Sequence, residues 1–137
     1  MAQDVGLDFA AGPTVTLISA DVTDTNVSAL TSSVDFGSPG PVAFGFHVIL
    51  TVGASGVDFC YVEVAWSQDD TTFADLENLE IIASVDCQAS VDVEAVGVVP
   101  LKGRYAKFRL RNESGGTIDG TASNTELKLF DVFYNQV

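Results

Sequence analysis

Histidine, tryptophan and methionine occur once each in this 137-residue chain, cysteine twice, and lysine with arginine only six times. Each scarcity narrows the functions open to it. The lone His47 lies inside an alternating apolar segment with no G-x-S-x-G-type nucleophile motif nearby, so a hydrogen-bonded structural histidine is expected rather than a catalytic base. Cys60 and Cys87 are too few for a disulfide scaffold and are spaced unlike any zinc motif. Both share the parity of apolar neighbours, which suggests buried thiols; a bridge would need Cα atoms within about 7 Å and is left open. Against 19 acids the six basic residues leave a net charge of −13, which repels nucleic-acid phosphates and anionic lipid surfaces. Neither is expected as a partner. The longest mostly apolar stretch, residues 42–52, is interrupted by Gly45 and His47 and is too short to cross a bilayer as a helix. Asp4 and Asp8 fall where an export signal needs a basic start and an apolar run, so no export signal is read there and a soluble protein is expected.

What the chain does have is valine: 19 residues against 10 leucines, with 11 threonines, a weighting toward β-branched side chains that suit pleated strands. Residues 1–13 show little alternation and read as an extended arm, with a single domain over 14–137. Strand candidates follow at residues 14–20 and within 28–36, the latter ending at the breaker Gly37-Ser38-Pro39-Gly40-Pro41. From Val42 the alternation is strict, with Val42, Phe44, Phe46, Val48, Leu50 and Val52 on one face. Residues 59–67 send Val62, Val64 and Trp66 to one side and Tyr61, Glu63 and Ala65 to the other. Strands over 79–85 and 90–99 come next, the second with Val91, Val93 and Ala95 inward, and Pro100 stops its ladder. Residues 103–112 carry Ala106, Phe108 and Leu110 inward, and 126–134 form an aromatic-rich last strand. About eight strands with almost no helical period make an all-β, antiparallel two-sheet β-sandwich the expected fold. A short helical turn over 72–78 is the exception allowed by the spacing of Phe73, Leu76 and Leu79.

Candidate chemistry is sparse. Carboxylate pairs carry little information when 19 acids are spread over the chain. Asp69, Asp70 and Asp75 offer oxygen ligands for calcium but lack the EF-hand pattern, so an Asx-type turn is the simpler reading and no metal or cofactor is expected. Asn26-Val27-Ser28 and Asn112-Glu113-Ser114 match the glycosylation sequon and read as chance matches. Phe130 and Tyr134 oppose Phe133 in parity, which plain core packing would explain, and one cover could also be a neighbouring subunit. The charge pattern says more: Lys102, Arg104, Lys107, Arg109 and Arg111 are five of the six basic residues and fall within ten consecutive positions. Alternation puts Lys107, Arg109 and Arg111 on one outward face. Either they pair with Asp92, Glu94 or Glu63 on adjacent strands, or they form a docking face for an acidic surface, such as another copy of the chain.

Two segments, YVEVAWSQDDTTFADL (61–76) and RYAKFRLRN (104–112), resemble jelly-roll β-sandwich proteins, in which a strand ends in a Ser-x-Asp turn and a later strand begins Arg-Tyr. Discoidin-like carbohydrate-binding domains show a loosely similar pair. RLRNESGGTIDG (109–120) is more similar to small virion proteins of tailed bacteriophages. That resemblance, over roughly residues 59–120, implies a non-enzymatic capsid decoration, or cement, protein on the outer surface of a phage head. Its implied partners are the major capsid protein and other copies of itself, often as a trimer. The other reading, a carbohydrate-binding module of a tail fibre, baseplate or bacterial surface protein, lacks the disulfide of many discoidin domains and an evident aromatic sugar platform.

Overall fold

The computed structural model describes residues 5–77, 79–121 and 125–136, and they form eight strands with no helix among them. The strands are β1 (Val5–Val15), β2 (Val34–Asp35), β3 (Ala43–Thr51), β4 (Phe59–Ser67), β5 (Glu80–Asp86), β6 (Asp92–Pro100), β7 (Tyr105–Asn112) and β8 (Glu126–Gln136). They build two four-stranded antiparallel sheets, ordered β1-β8-β3-β6 and β2-β7-β4-β5. Neighbouring strands within a sheet are mostly distant in sequence, so the chain crosses repeatedly between layers, as in an eight-stranded jelly roll.

Period-2 alternation drives the assembly. Phe44, Phe46, Val48 and Leu50 of β3 face Cys60, Val62 and Val64 of β4 and Ala106, Phe108 and Leu110 of β7, all buried in one cluster. Phe44 is its centre, stacked on Phe36 at 5.4 Å and edge-on to Phe108 at 5.8 Å. A fully buried side chain of this size contributes about 1.5–3 kcal/mol relative to exposure.

Several expectations change in the folded chain. The first strand ends at Val15; residues 16–20 leave the sheet with Leu17 and Ile18 both buried, so the strand read over 14–20 lies upstream of its expected place. From Val5 the segment read as an arm is extended and pairs with β8, Val5 opposite Gln136 through Ala11 opposite Phe130. The second strand keeps only two residues because residues 25–36 follow the edge of β7 by other means. Ser28 and Thr31 accept the Leu110 and Phe108 amides through their hydroxyls, and their own amides donate to the carbonyls of the same two residues. No helix forms over the described part of 72–78, where Leu76 and Glu77 make a turn; Asn78 lies outside the described residues. Val42 and Val91, expected inside, are exposed, since each precedes its strand.

Candidate functional site

The basic residues of β7 and the turn before it lie on the β2-β7-β4-β5 sheet, and each contacts a group within the chain, although the buried Nε of Arg111 has no hydrogen-bond partner. Lys102 Nζ is 3.0 Å from Glu80 Oε2, and Arg104 donates to both carboxylate oxygens of Asp35 at 2.9 and 3.0 Å. That guanidinium, with the Gly37 amide behind it, holds the Asp35 carboxyl below the usual carboxylate range. Lys107 sits 4.4 Å from the Phe73 ring centroid and Arg111 4.9 Å from that of Tyr61. Arg109 donates to Glu63 at 3.1 Å and to the Leu76 carbonyl at 2.9 Å, the two charged side chains being only 12% and 6% exposed. The 68–77 segment thus meets the outer face of β7 and β4, and Glu63 and Ala65 are buried although their parity points away from the core. Of the pairings read from the sequence, Glu63 is realised. Asp92 and Glu94 belong to β6 in the other sheet, where Glu94 meets His47 at 2.7 Å and Asp92 accepts from Thr51.

The other candidates are structural in their contacts. Asp69 accepts the Thr72 and Thr71 amides at 2.8 and 2.9 Å and the Ser67 hydroxyl at 3.0 Å, and these donors bring its pKa down to about 2. This is a side-chain-closed turn, with Asp70 at φ +62°. Cys60 and Cys87 are buried and unbridged. The adjacent Cys87 thiol, reinforced by burial, pushes the Cys60 thiol above the ordinary cysteine range. Cys60 and His47 stand in different sheets, the histidine on an outer face and the cysteine in the core. Asn112 is fully buried, donating to the Val22 and Gly116 carbonyls at 2.7 Å each, so its sequon is closed to modification in the folded chain. A depression of about 610 Å³ along residues 16–32 has no aromatic lining residue, which leaves it without a sugar-stacking platform.

The feature that sequence reasoning missed is the outer face of the β1-β8-β3-β6 sheet. Directly opposed residues in a ladder share a face. The register therefore aligns Leu7 with Tyr134, Phe9 with Val132 and Ala43, and Ala11 with Phe130, Gly45 and Val98; Val96 lies opposite His47. Gly45 leaves a floor between Phe9 and Phe130 on one side and Val96 and Val98 on the other, a depression of about 410 Å³. A methyl group there would meet Phe9 Cε1 and Phe130 Cβ at 3.6 Å, ordinary contact distance. Val96 is 74% exposed, Tyr134 68% and Phe9 58%. Phe133, on the other face of β8, is also exposed, so core packing does not account for the last strand's aromatics. The charged groups on this outer face gather at one end, where His47 pairs with Glu94 and Lys128 with Glu126. The available signal was the β6 run Ala95-Val96-Gly97-Val98-Val99, apolar at both parities.

Among the described residues no group of three or more His, Cys, Asp or Glu side chains is placed to hold a metal ion. No protein-family model matches the sequence, and no curated protein matches it. Among solved structures, murine APRIL superposes with a TM-score of 0.47 at 9% identity, over 95% of this chain and 99% of that one. The enzymatically active domain of tailspike protein 4 of bacteriophage CBA120 superposes with a TM-score of 0.31 at 8% identity, over 97% of this chain and 19% of that one. At such identity and overlap these are likenesses of general shape, and the β-sandwich assignment stands on the chain's own strands and register.

Proposed function

We propose that the chain is a structural, non-enzymatic virion protein of a tailed bacteriophage, bound to the outer surface of the capsid through the major capsid protein. The observation that carries a binding role is the apolar outer face of the β1-β8-β3-β6 sheet on a molecule of net charge −13. Monomeric proteins seldom expose large contiguous apolar patches unless a partner covers them. The resemblance of residues 59–120 to phage virion proteins supplies the choice of partner, an apolar segment of the capsid subunit laid across the Gly45 depression. The basic cluster Lys102–Arg111 is the weaker contact surface, because Arg109 is committed to Glu63 and Arg104 to Asp35. An acidic exterior suits a site where nothing touches packaged DNA.

Electron microscopy of virions of the encoding phage tests the reading. Density for this sandwich on the head, with the Gly45 face against the shell, is the expected result. Absence of the chain from purified virions overturns it.

A further inference from the structure

The β1 strand carries a second, separate feature. It is the edge of its sheet, and Leu7, Asp8, Phe9, Ala10 and Ala11 are all exposed. Interior strands do not show five consecutive exposed residues. Beyond Val132, β8 has no β3 partner, so residues 133–136 and 5–8 form a two-stranded ribbon running past the rest of the sheet. A two-stranded ribbon is marginal in water without something packed on it. This one shows apolar side chains on both faces, Leu7 and Tyr134 on one and Phe133 on the other.

Edge strands are ordinarily blunted by proline, bulges or charge. In β1 two of these devices, Pro13 and the register shift between Ala11 and Thr14, sit in its second half. The first half has only Asp8. Alternate residues there direct their amides and carbonyls away from β8, toward whatever strand arrives.

We propose that this edge is a self-association site, in which the β1 strands of two copies pair antiparallel about a two-fold axis passing beside Phe9. Such an axis closes the assembly at two copies and joins the two four-stranded sheets into one of eight. The register follows from the sequence. Centring on Phe9 sets Phe9 opposite its counterpart, Leu7 opposite Ala11, Asp8 opposite Ala10 and Gly6 opposite Gly12, and the ladder ends where Val5 meets Pro13, which has no amide to give. Centring on Asp8 would set two carboxylates against each other in a molecule already at −13. Charge favours the edge as the meeting place, since β1 carries one acid in 11 residues. The exposed parts of Leu7 and Phe9, the large apolar side chains of β1 itself, amount to about 200 Å², roughly a quarter of one partner's share in a standard interface. Main-chain hydrogen bonds supply the rest, as in other strand-addition contacts. The pairing shares Phe9 with the Gly45 depression but leaves its Val96 and Val98 wall open, so Val96→Lys separates self-association from the capsid reading.

Sedimentation of the full chain across micromolar to near-millimolar concentration tests it. The expected mass is twice 14.4 kDa, with hydrogen exchange of the residue 6–12 amides slowing as concentration rises. Phe9→Lys and Phe9→Glu should each sediment as monomers with an unchanged β-type circular dichroism spectrum, and their equimolar mixture should recover the dimer. Val96→Lys, on the opposite edge strand, should remain dimeric. A wild-type monomer or trimer throughout, a mixture that stays monomeric, or dimers in both Phe9 variants alone would overturn the proposal. Should a Phe9 variant not fold, the wild-type mass and exchange pattern still decide.

Discussion

Arg109 and Glu63 meet at 3.1 Å in adjacent strands, beneath a segment whose Leu76 carbonyl takes a second guanidinium proton. Removing one partner of a pair so little exposed leaves the other charged and unsolvated. Arg109→Met is expected to cost about 3 kcal/mol in denaturant unfolding, and the double change Arg109→Met with Glu63→Leu to recover most of it. A cost below about 1 kcal/mol for the single change would mean that the pair is effectively solvated.

Asn112 ties three parts of the chain together, reaching Val22, Gly116 and, through its Oδ1, the Ser114 amide and hydroxyl. Asn112→Ala strands buried carbonyls at once and is expected to destabilise the fold by more than about 2 kcal/mol. Asn26→Ala, at an exposed asparagine whose amide reaches Thr23 and Asp24, is expected to fall within about 1 kcal/mol of wild type. Equilibrium unfolding of both variants gives the comparison.

Asp69 has a folded-state pKa of about 2 against an ordinary 3.8. A depressed carboxylate stabilises the fold above its unfolded pKa, and that contribution is lost as pH falls through the folded value. The Asp69 contribution is therefore expected to disappear between about pH 4 and about pH 2. In Asp69→Ala the melting temperature should fall less steeply over that range, and an unchanged acid limb would remove Asp69 from the account.

Cys60 and Cys87 are both buried, and Cys60 donates to Asn112 Oδ1 at 3.3 Å. Neither thiol is expected to react with an aromatic disulfide reagent in the native state, and both should titrate after denaturation. Rapid labelling of the folded protein would contradict this.

The strands that face one core were legible in the sequence, and those with other surroundings were not. β3 and β7 alternate because one face of each meets a dry interior, so burial writes a period of two into them. β1 carries no such pattern, since residues 7–11 are open on both faces and nothing selects between them. Parity also assigned Glu63 and Ala65 to solvent, because it has no knowledge of a segment folding back over the sheet. The basic residues were readable as a cluster, but the pairing of Lys102 with Glu80 and of Arg104 with Asp35 depends on contacts outside their own segment. The Gly45 depression is made by the absence of a side chain flanked by residues from β1, β6 and β8, a juxtaposition that only the jelly-roll strand order creates.

The proposed capsid contact lies on the outer face of the β1-β8-β3-β6 sheet. Co-sedimentation with bare capsids, comparing wild type with Gly45→Leu and with Val96→Lys plus Val98→Lys, decides whether it does. Leucine grows from the buried floor, where its Cβ meets Phe9 and Phe130 at ordinary contact distance, and the lysines charge the wall at the exposed Val96 and Val98. Saturable binding by wild type, weakened about tenfold or more by each variant, is the expected result; no wild-type binding, or equal binding by folded variants, would contradict the claim.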